Sequence, residues 1–141
     1  MAKVRNIKRV AGVAIRNLTR ASVGSRAVFS AIANEVLPDW DISLVFISQA
    51  KARELNKQLR NKDYTPQVLS YIVGKKSGEI FICPTAAVRQ ASSYRLSTTD
   101  YILLLFIHGA LHIKGWAHGA TMERCERKLL ATYVTTRSDR H

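Results

Sequence analysis

Cysteine is scarce in this chain: 141 residues contain only Cys83 and Cys125. No disulfide framework holds such a fold, and a reducing compartment is the simpler reading. Acidic residues are also few, with 10 Asp and Glu against 22 Lys and Arg, for a formal charge of +12. Long apolar runs are missing as well. The longest, Tyr101 to Ile107, stops at His108, far short of the roughly 18–20 apolar residues that cross a bilayer. What is plentiful is ordinary core material. Hydrophobic residues make up 47% and charged residues 23%, enough apolar surface to offset ordering entropy and exclude a disordered tail or a fibre.

The length suits one domain over 1–141, with no repeat, low-complexity stretch or linker. Its basic N-terminal segment covers about 1–24. Residues 1–34 carry seven basic residues and no acid, as targeting segments do. Their apolar piece, Val10 to Ile15, is shorter than a secretory h-region and ends at Arg16. The expectation is a cytoplasmic protein without a membrane, with a mitochondrial address as the alternative.

The positive surplus favours polyanions, chiefly nucleic acid, through phosphate contacts and counterion release. Lys3, Arg5, Lys8, Arg9, Arg16, Arg20 and Arg26 form one cluster; Lys51, Arg53, Lys57, Arg60 and Lys62 form another. The bland alternative is a solvated basic face.

Apolar spacing predicts a helix over Ser25–Val36, stopped by Pro38. Ile42–Ile47, Val68–Val73 and Glu79–Cys83 read as strands. Val4–Ile15 is ambiguous and has room for a short edge strand. Ser48 suits the cap of a helix over Gln49–Leu59, with Ala52, Leu55 and Leu59 inward. Pro84 suits the first turn of a helix reaching about Leu96. Thr98 or Thr99 would cap a strongly apolar helix, and a last helix covers about Thr121–Thr132. These elements make an α/β (α+β) fold: a mixed sheet of three or four strands packed by helices.

Three of the four histidines fall within His108-Gly-Ala-Leu-His112-Ile-Lys-Gly115-Trp-Ala-His118. Residues four apart on a helix project from one face, so His108 and His112 can reach one ion. Gly115 suits a left-handed C-terminal turn that returns His118 as a third nitrogen. Three imidazoles leave a fourth tetrahedral position for water, as in catalytic zinc sites. Isolated histidines are more often buried, hydrogen-bonded core residues. Here they interrupt Ile102 to Ile107 and Leu111, where unpartnered burial costs on the order of a few kcal/mol each, and coordination removes that cost. The metal site therefore occupies about 99–118.

The spacing also matches metzincin proteases at the three ligands and the glycine. Those enzymes carry a general-base Glu after the first histidine, and this chain has Gly109. Glycine cannot take a proton from a metal-bound water, which argues against peptide hydrolysis by that route.

HGALHIKGWAH resembles the YbeY family signature HGxLHLxGYDH. Leu55-Asn56, Arg60 and Val68-Leu69-Ser70-Tyr71 resemble its LN…R…TDVLSF block, and Gly78-Glu79-Ile80 with Ile82-Cys83-Pro84 resembles GDI-x-I-x-P. Met122 and Glu126 fall on its closing-helix M…E. The likeness covers about 40–130. It implies a zincin-like fold with a buried ligand helix, one Zn2+ per chain on His108, His112 and His118, and a single-strand-specific endoribonuclease. It further implies maturation of the small-subunit ribosomal RNA 3′ end, ribosome quality control, and as partners the small subunit, ribosomal proteins and an assembly GTPase. By the same likeness Arg60 is the functional arginine, its planar fork suited to phosphate; the competing reading is an ordinary surface arginine. Lys57, Lys62 and Lys114 are the companion RNA contacts.

Three positions depart from the pattern. Ala117 replaces the Asp before the third histidine, Pro66-Gln67 replaces Thr-Asp, and Glu79 replaces an Asp. If a lost acid oriented a ligand histidine, metal affinity falls about 10–100-fold, and activity weakens if one accepted a proton. Glu79 is the surviving acid nominated beside the site, with a surface ion pair as the alternative. Cys125 is a conceivable fourth ligand, though a small buried residue is the simpler assignment. Trp116 either stacks on a base or packs over the turn. The alternative function is a zinc-containing, non-catalytic ribosome-assembly or RNA-binding factor.

Overall fold

The computed structural model describes residues 8–10 and 12–138. Lys3 and Arg5 of the first basic cluster lie outside the described residues. The order of elements is β1 (Lys8–Val10), β2 (Val13–Asn17), α1 (Arg26–Val36), β3 (Asp41–Phe46), α2 (Gln49–Arg60), β4 (Val68–Gly74) and β5 (Ser77–Ile82). After these come α3 (Pro84–Ala91), a 3-10 turn (Ser92–Tyr94), α4 (Thr98–Lys114) and α5 (Ala120–Ser138).

The sheet runs β1-β2-β3-β5-β4. β2, β3 and β5 are parallel, while the outer pairs β1–β2 and β4–β5 are antiparallel hairpins. The four longer strands are joined by a three-residue edge strand, Lys8–Val10, which falls in the ambiguous Val4–Ile15 stretch; residues 4–7 and 11 of that stretch lie outside the described residues. Parallel neighbours need a crossover, and α1 supplies the one from β2 to β3.

Alternation decides which side is the core. Val13, Ile15, Ile42, Leu44, Phe46, Ile80 and Ile82 turn to one face, where they meet α1 and α4. Phe106 of α4 meets Phe29 of α1 edge-on, with centroids 5.2 Å apart. The opposite face carries a smaller cluster, Ile47, Ala52, Cys83 and Ala86, with Val45, Leu55 and Phe81 against it. Leu59, expected inward, is 49% exposed because α2 covers only part of that face.

Helix α4 is buried on nearly every side, ten of its residues from Tyr101 to Ile113 being inaccessible, the pattern of a central helix. Burying each large side chain contributes about 1.5–3 kcal/mol, so α4 is a rigid base for whatever it carries. Its cap is Ser97, whose hydroxyl accepts from Asp100 N at 3.1 Å, one residue earlier than the threonines suggested. Gly109 lets the helix sit close to the sheet: a Cβ there would lie 3.3 Å from Ile80 Cγ2 and 3.4 Å from Ser70 Cβ. Helix α3 stops at Ala91 rather than Leu96, and α5 runs past Thr132 to Ser138. No single helix among the described residues is long and apolar enough to cross a membrane.

Candidate metal centre and its cleft

At the exposed end of α4 the chain turns as its glycine implies. Gly115 adopts φ 112°, ψ 7°, and its N–H donates to Leu111 O and His112 O. Trp116 N also returns to Leu111 O at 3.0 Å. The three ligand candidates converge. His108, His112 and His118 each offer an atom within 4.8 Å of the others, and the ring centroids lie 4.3–5.1 Å apart.

Hydrogen bonds fix how two rings present themselves. His108 Nδ1 is bonded to the Glu126 carboxylate from α5, and His112 Nδ1 donates to Trp116 O at 3.1 Å. An imidazole donating through Nδ1 carries its lone pair on Nε2. The two Nε2 atoms face each other at 3.1 Å. With both protons on Nδ1, neither ring donates across that gap, and the two lone pairs would suit a shared cation. The separation is close to that of two nitrogens held at about 2.0–2.1 Å by one tetrahedral ion. Burial, above all, and then the neighbouring His108 hold the His112 imidazole below its usual pKa, which keeps it in the neutral form that binds metal. These residues fit a resident metal ion.

Glu126 takes the orienting part that the missing acid at Ala117 left open. Ala117 is exposed, and the bonds to Glu126 and the Trp116 carbonyl orient His108 and His112 without it. Position 126 was visible in the sequence, but its partner lies 18 residues away on another helix. Cys125 packs among partly buried apolar residues and is not part of the histidine cluster. Trp116 also packs against the core.

Arg60 shares a cleft with two of these histidines. It lines, with His108, His118, Glu123 and Glu126, a cleft of about 760 Å³ whose apolar floor includes Leu104, Leu105 and Met122. Its Nη1 donates to Asn56 Oδ1 at 3.4 Å and to the Tyr64 hydroxyl at 3.3 Å. Asn56 is fully buried and gives its amide to Tyr64 O at 3.1 Å. It is the residue that sets Arg60 and its loop in place, an assignment the motif alone did not make.

Other candidates lie elsewhere. Lys57 lines a separate concavity of about 730 Å³ with Arg53 and Asp63. Lys62 is exposed beyond α2 and is not among the residues lining the histidine cleft. The Lys114 ammonium donates to Val36 O at 3.0 Å, tying it to the last turn of α1, and Lys114 is not among the residues lining the cleft. Glu79 pairs across the hairpin with Tyr71, and burial together with that carboxylate raises the Tyr71 pKa. Its strand neighbours Gly78 and Ile80 face α4, so strict alternation puts Glu79 on the other side of the sheet. Glu79 therefore does not stand beside the histidines as expected, and the acid bonded to one of them is Glu126.

An α/β domain that gathers three imidazoles beside a cleft shared with an arginine has the donor set for one metal ion. The family model described as endoribonuclease YbeY matches residues 8–134, and the chain belongs to that family. A Nautilia profundicola protein named endoribonuclease YbeY is 39% identical over 87 residues, 59% of this chain and 63% of the relative. A Helicobacter pylori protein of the same name is 40% identical over 91 residues, 62% and 65% of the two chains. The matches thus span under two thirds of those relatives. The solution structure of a Thermotoga maritima protein shares the fold, with a TM-score of 0.63 and 24% identity, covering 89% of this chain and 93% of that one.

Proposed function

We propose that this chain is a zinc-dependent, single-strand-specific endoribonuclease of ribosomal RNA maturation. The observation that carries the reading is the convergence of His108, His112 and His118 at a cleft that Arg60 lines together with His108 and His118, within a family named for endoribonuclease activity. His108, His112 and His118 would hold the zinc ion, and when bound it would supply Lewis-acid activation of a water and of a phosphoryl oxygen. Arg60, always cationic, donates to a non-bridging phosphate oxygen and shares the charge that develops there. Glu126 holds His108 in the ligating tautomer. Glu123, exposed at the cleft wall and not bonded to a histidine, is the carboxylate placed to accept a proton. The positive surplus of the chain holds the RNA backbone. The small-subunit 3′ end is the proposed site of action and the cytoplasm its place, in company with ribosomal proteins and an assembly GTPase and with a part in ribosome quality control.

The second reading is a zinc-containing assembly or RNA-binding factor without catalysis. Gln67 favours it, because an uncharged amide bound to the Tyr101 hydroxyl at 2.6 Å stands in the cleft where the family pattern has an acid. One experiment separates the two: zinc analysis and cleavage of single-stranded ribosomal RNA fragments by the parent and by His112→Ala. Cleavage that needs both zinc and His112 supports the nuclease. Zinc-loaded parent that binds RNA and cuts nothing supports the assembly factor, and a His112→Ala protein as active as its parent refutes the metal mechanism.

A further inference from the structure

The cleft of about 760 Å³ has more room than a metal ion and one phosphate require, and part of its lining is aromatic. Tyr94, Leu96, Tyr101 and Gln67 line it along with the histidines, and Tyr64 accepts from Arg60. Large rings are usually turned inward, yet Tyr94 is 56% exposed. It is not a loose side chain on a floppy loop. The 3-10 turn that carries it closes with Arg95 in the left-handed region at φ 56°. Arg95 N donates to Ser92 O at 3.0 Å, and Leu96 N to Ala91 O at 3.1 Å. Behind it stands the buried Tyr101 ring, 5.1 Å away and tilted by 39°. The Tyr101 hydroxyl is fixed in turn on Gln67 Oε1, which leaves the Gln67 amide nitrogen as the end that can donate into the cleft.

An open aromatic face, held from behind and continuous with a cationic, metal-binding cleft, fits a flat ring carrying hydrogen-bond acceptors at its edge. We propose that Tyr94 is the stacking platform for an unpaired nucleobase of the RNA strand, with Gln67 donating to an acceptor on that base. This rests on the reading of the site as an RNA site and adds how it selects its strand. A base inside a duplex has both faces covered and cannot use the platform, whereas an unpaired base can. The subsite also gives position 67 a part in recognition rather than in proton transfer.

The test uses the zinc-loaded full chain and fluorescence-anisotropy titration with a single-stranded oligouridylate, the same oligomer with one abasic position moved along it, and a matched duplex. Tyr94→Leu is expected to weaken binding of the intact single strand by about 5- to 100-fold, the range for loss of one base–aromatic stack. Tyr94→Trp is expected to bind as well as the parent or better, and both variants should keep the parent's zinc content and melting temperature. One abasic position should reproduce the loss in the parent and add little in Tyr94→Leu. Equal affinity of parent and Tyr94→Leu for the intact strand refutes the subsite and leaves the nuclease reading standing. A loss that Tyr94→Trp fails to restore also refutes it, because the damage is then to the turn and not to stacking. Tyr94-dependent binding without cleavage of any strand supports the subsite while overturning the nuclease reading. A parent that binds no single strand removes both.

Discussion

Replacing Glu126 by glutamine isolates the part of the metal centre that comes from another helix. The glutamine keeps the length of the side chain and an oxygen that can accept from His108 Nδ1, but it loses the negative charge that holds the His108 proton on that nitrogen. The carboxylate is only 13% exposed and the His108 side chain 27%, so solvent screens the interaction less than it would a surface pair. Loss of such a partner typically lowers metal affinity about 10- to 100-fold, or about 1.4–2.8 kcal/mol of binding free energy. The assay is a competition titration of zinc between the protein and a chromophoric chelator at pH 7.5, paired with melting curves with and without excess zinc. The melting-temperature gain from zinc should shrink in step with affinity, while the metal-free variant melts near its parent. Ala117→Asp is the control, expected to leave affinity within a few fold because both ordered rings already have partners. A Glu126→Gln protein that binds zinc within twofold of the parent refutes this account, as does a large gain from Ala117→Asp.

The remaining predictions concern pH, the turn, the close helix contact and the cations. The depressed His112 pKa means that the metal-free native state binds fewer protons there than the unfolded chain does. Its stability contribution is therefore intact above the ordinary histidine value of about 6.5 and falls as acid approaches the lower folded value; melting temperature should drop from pH 7.5 to 5.5, and a rise over that window contradicts the sign. Gly115→Ala meets no atom within 4 Å but must adopt φ +112°, so a destabilisation of about 1–2 kcal/mol in urea titration is expected from backbone strain alone. Gly109→Glu drives a carboxylate toward Ile80 and Ser70 and should unfold the domain by circular dichroism rather than create a peptidase. Lys114→Met should leave RNA affinity unchanged while lowering thermal stability, since its ammonium is bound to Val36 O; Arg60→Met should do the reverse.

Much of the site was legible because its ligands obey local rules. His108 and His112 share a helical face through their spacing, and Gly115 is where a left-handed turn is sterically easy. Element types followed from periodicity for the same reason, with ends misplaced where capping competed, as at Ser97 against Thr98 and Thr99. Single positions were harder to read where the direction of the side chain decides its partner. Lys114 looks like a free cation at a helix end, and only the packing of α4 on α1 brings a carbonyl within its reach. Glu79 looks like an acid near the motif, but a strand sends alternate side chains to opposite faces.

The sequence by itself determined the composition of the core, the helix that bears the histidines, the charge, and the family to which the chain belongs. Tertiary structure alone decided that Glu126 grips His108 across 18 residues, that Asn56 sets Arg60 at the same cleft, and that Tyr94 stands open beyond it. Local spacing is a property of one element and can be counted along the chain. Which elements meet depends on the sum of many weak packing contacts, and no single segment carries that sum.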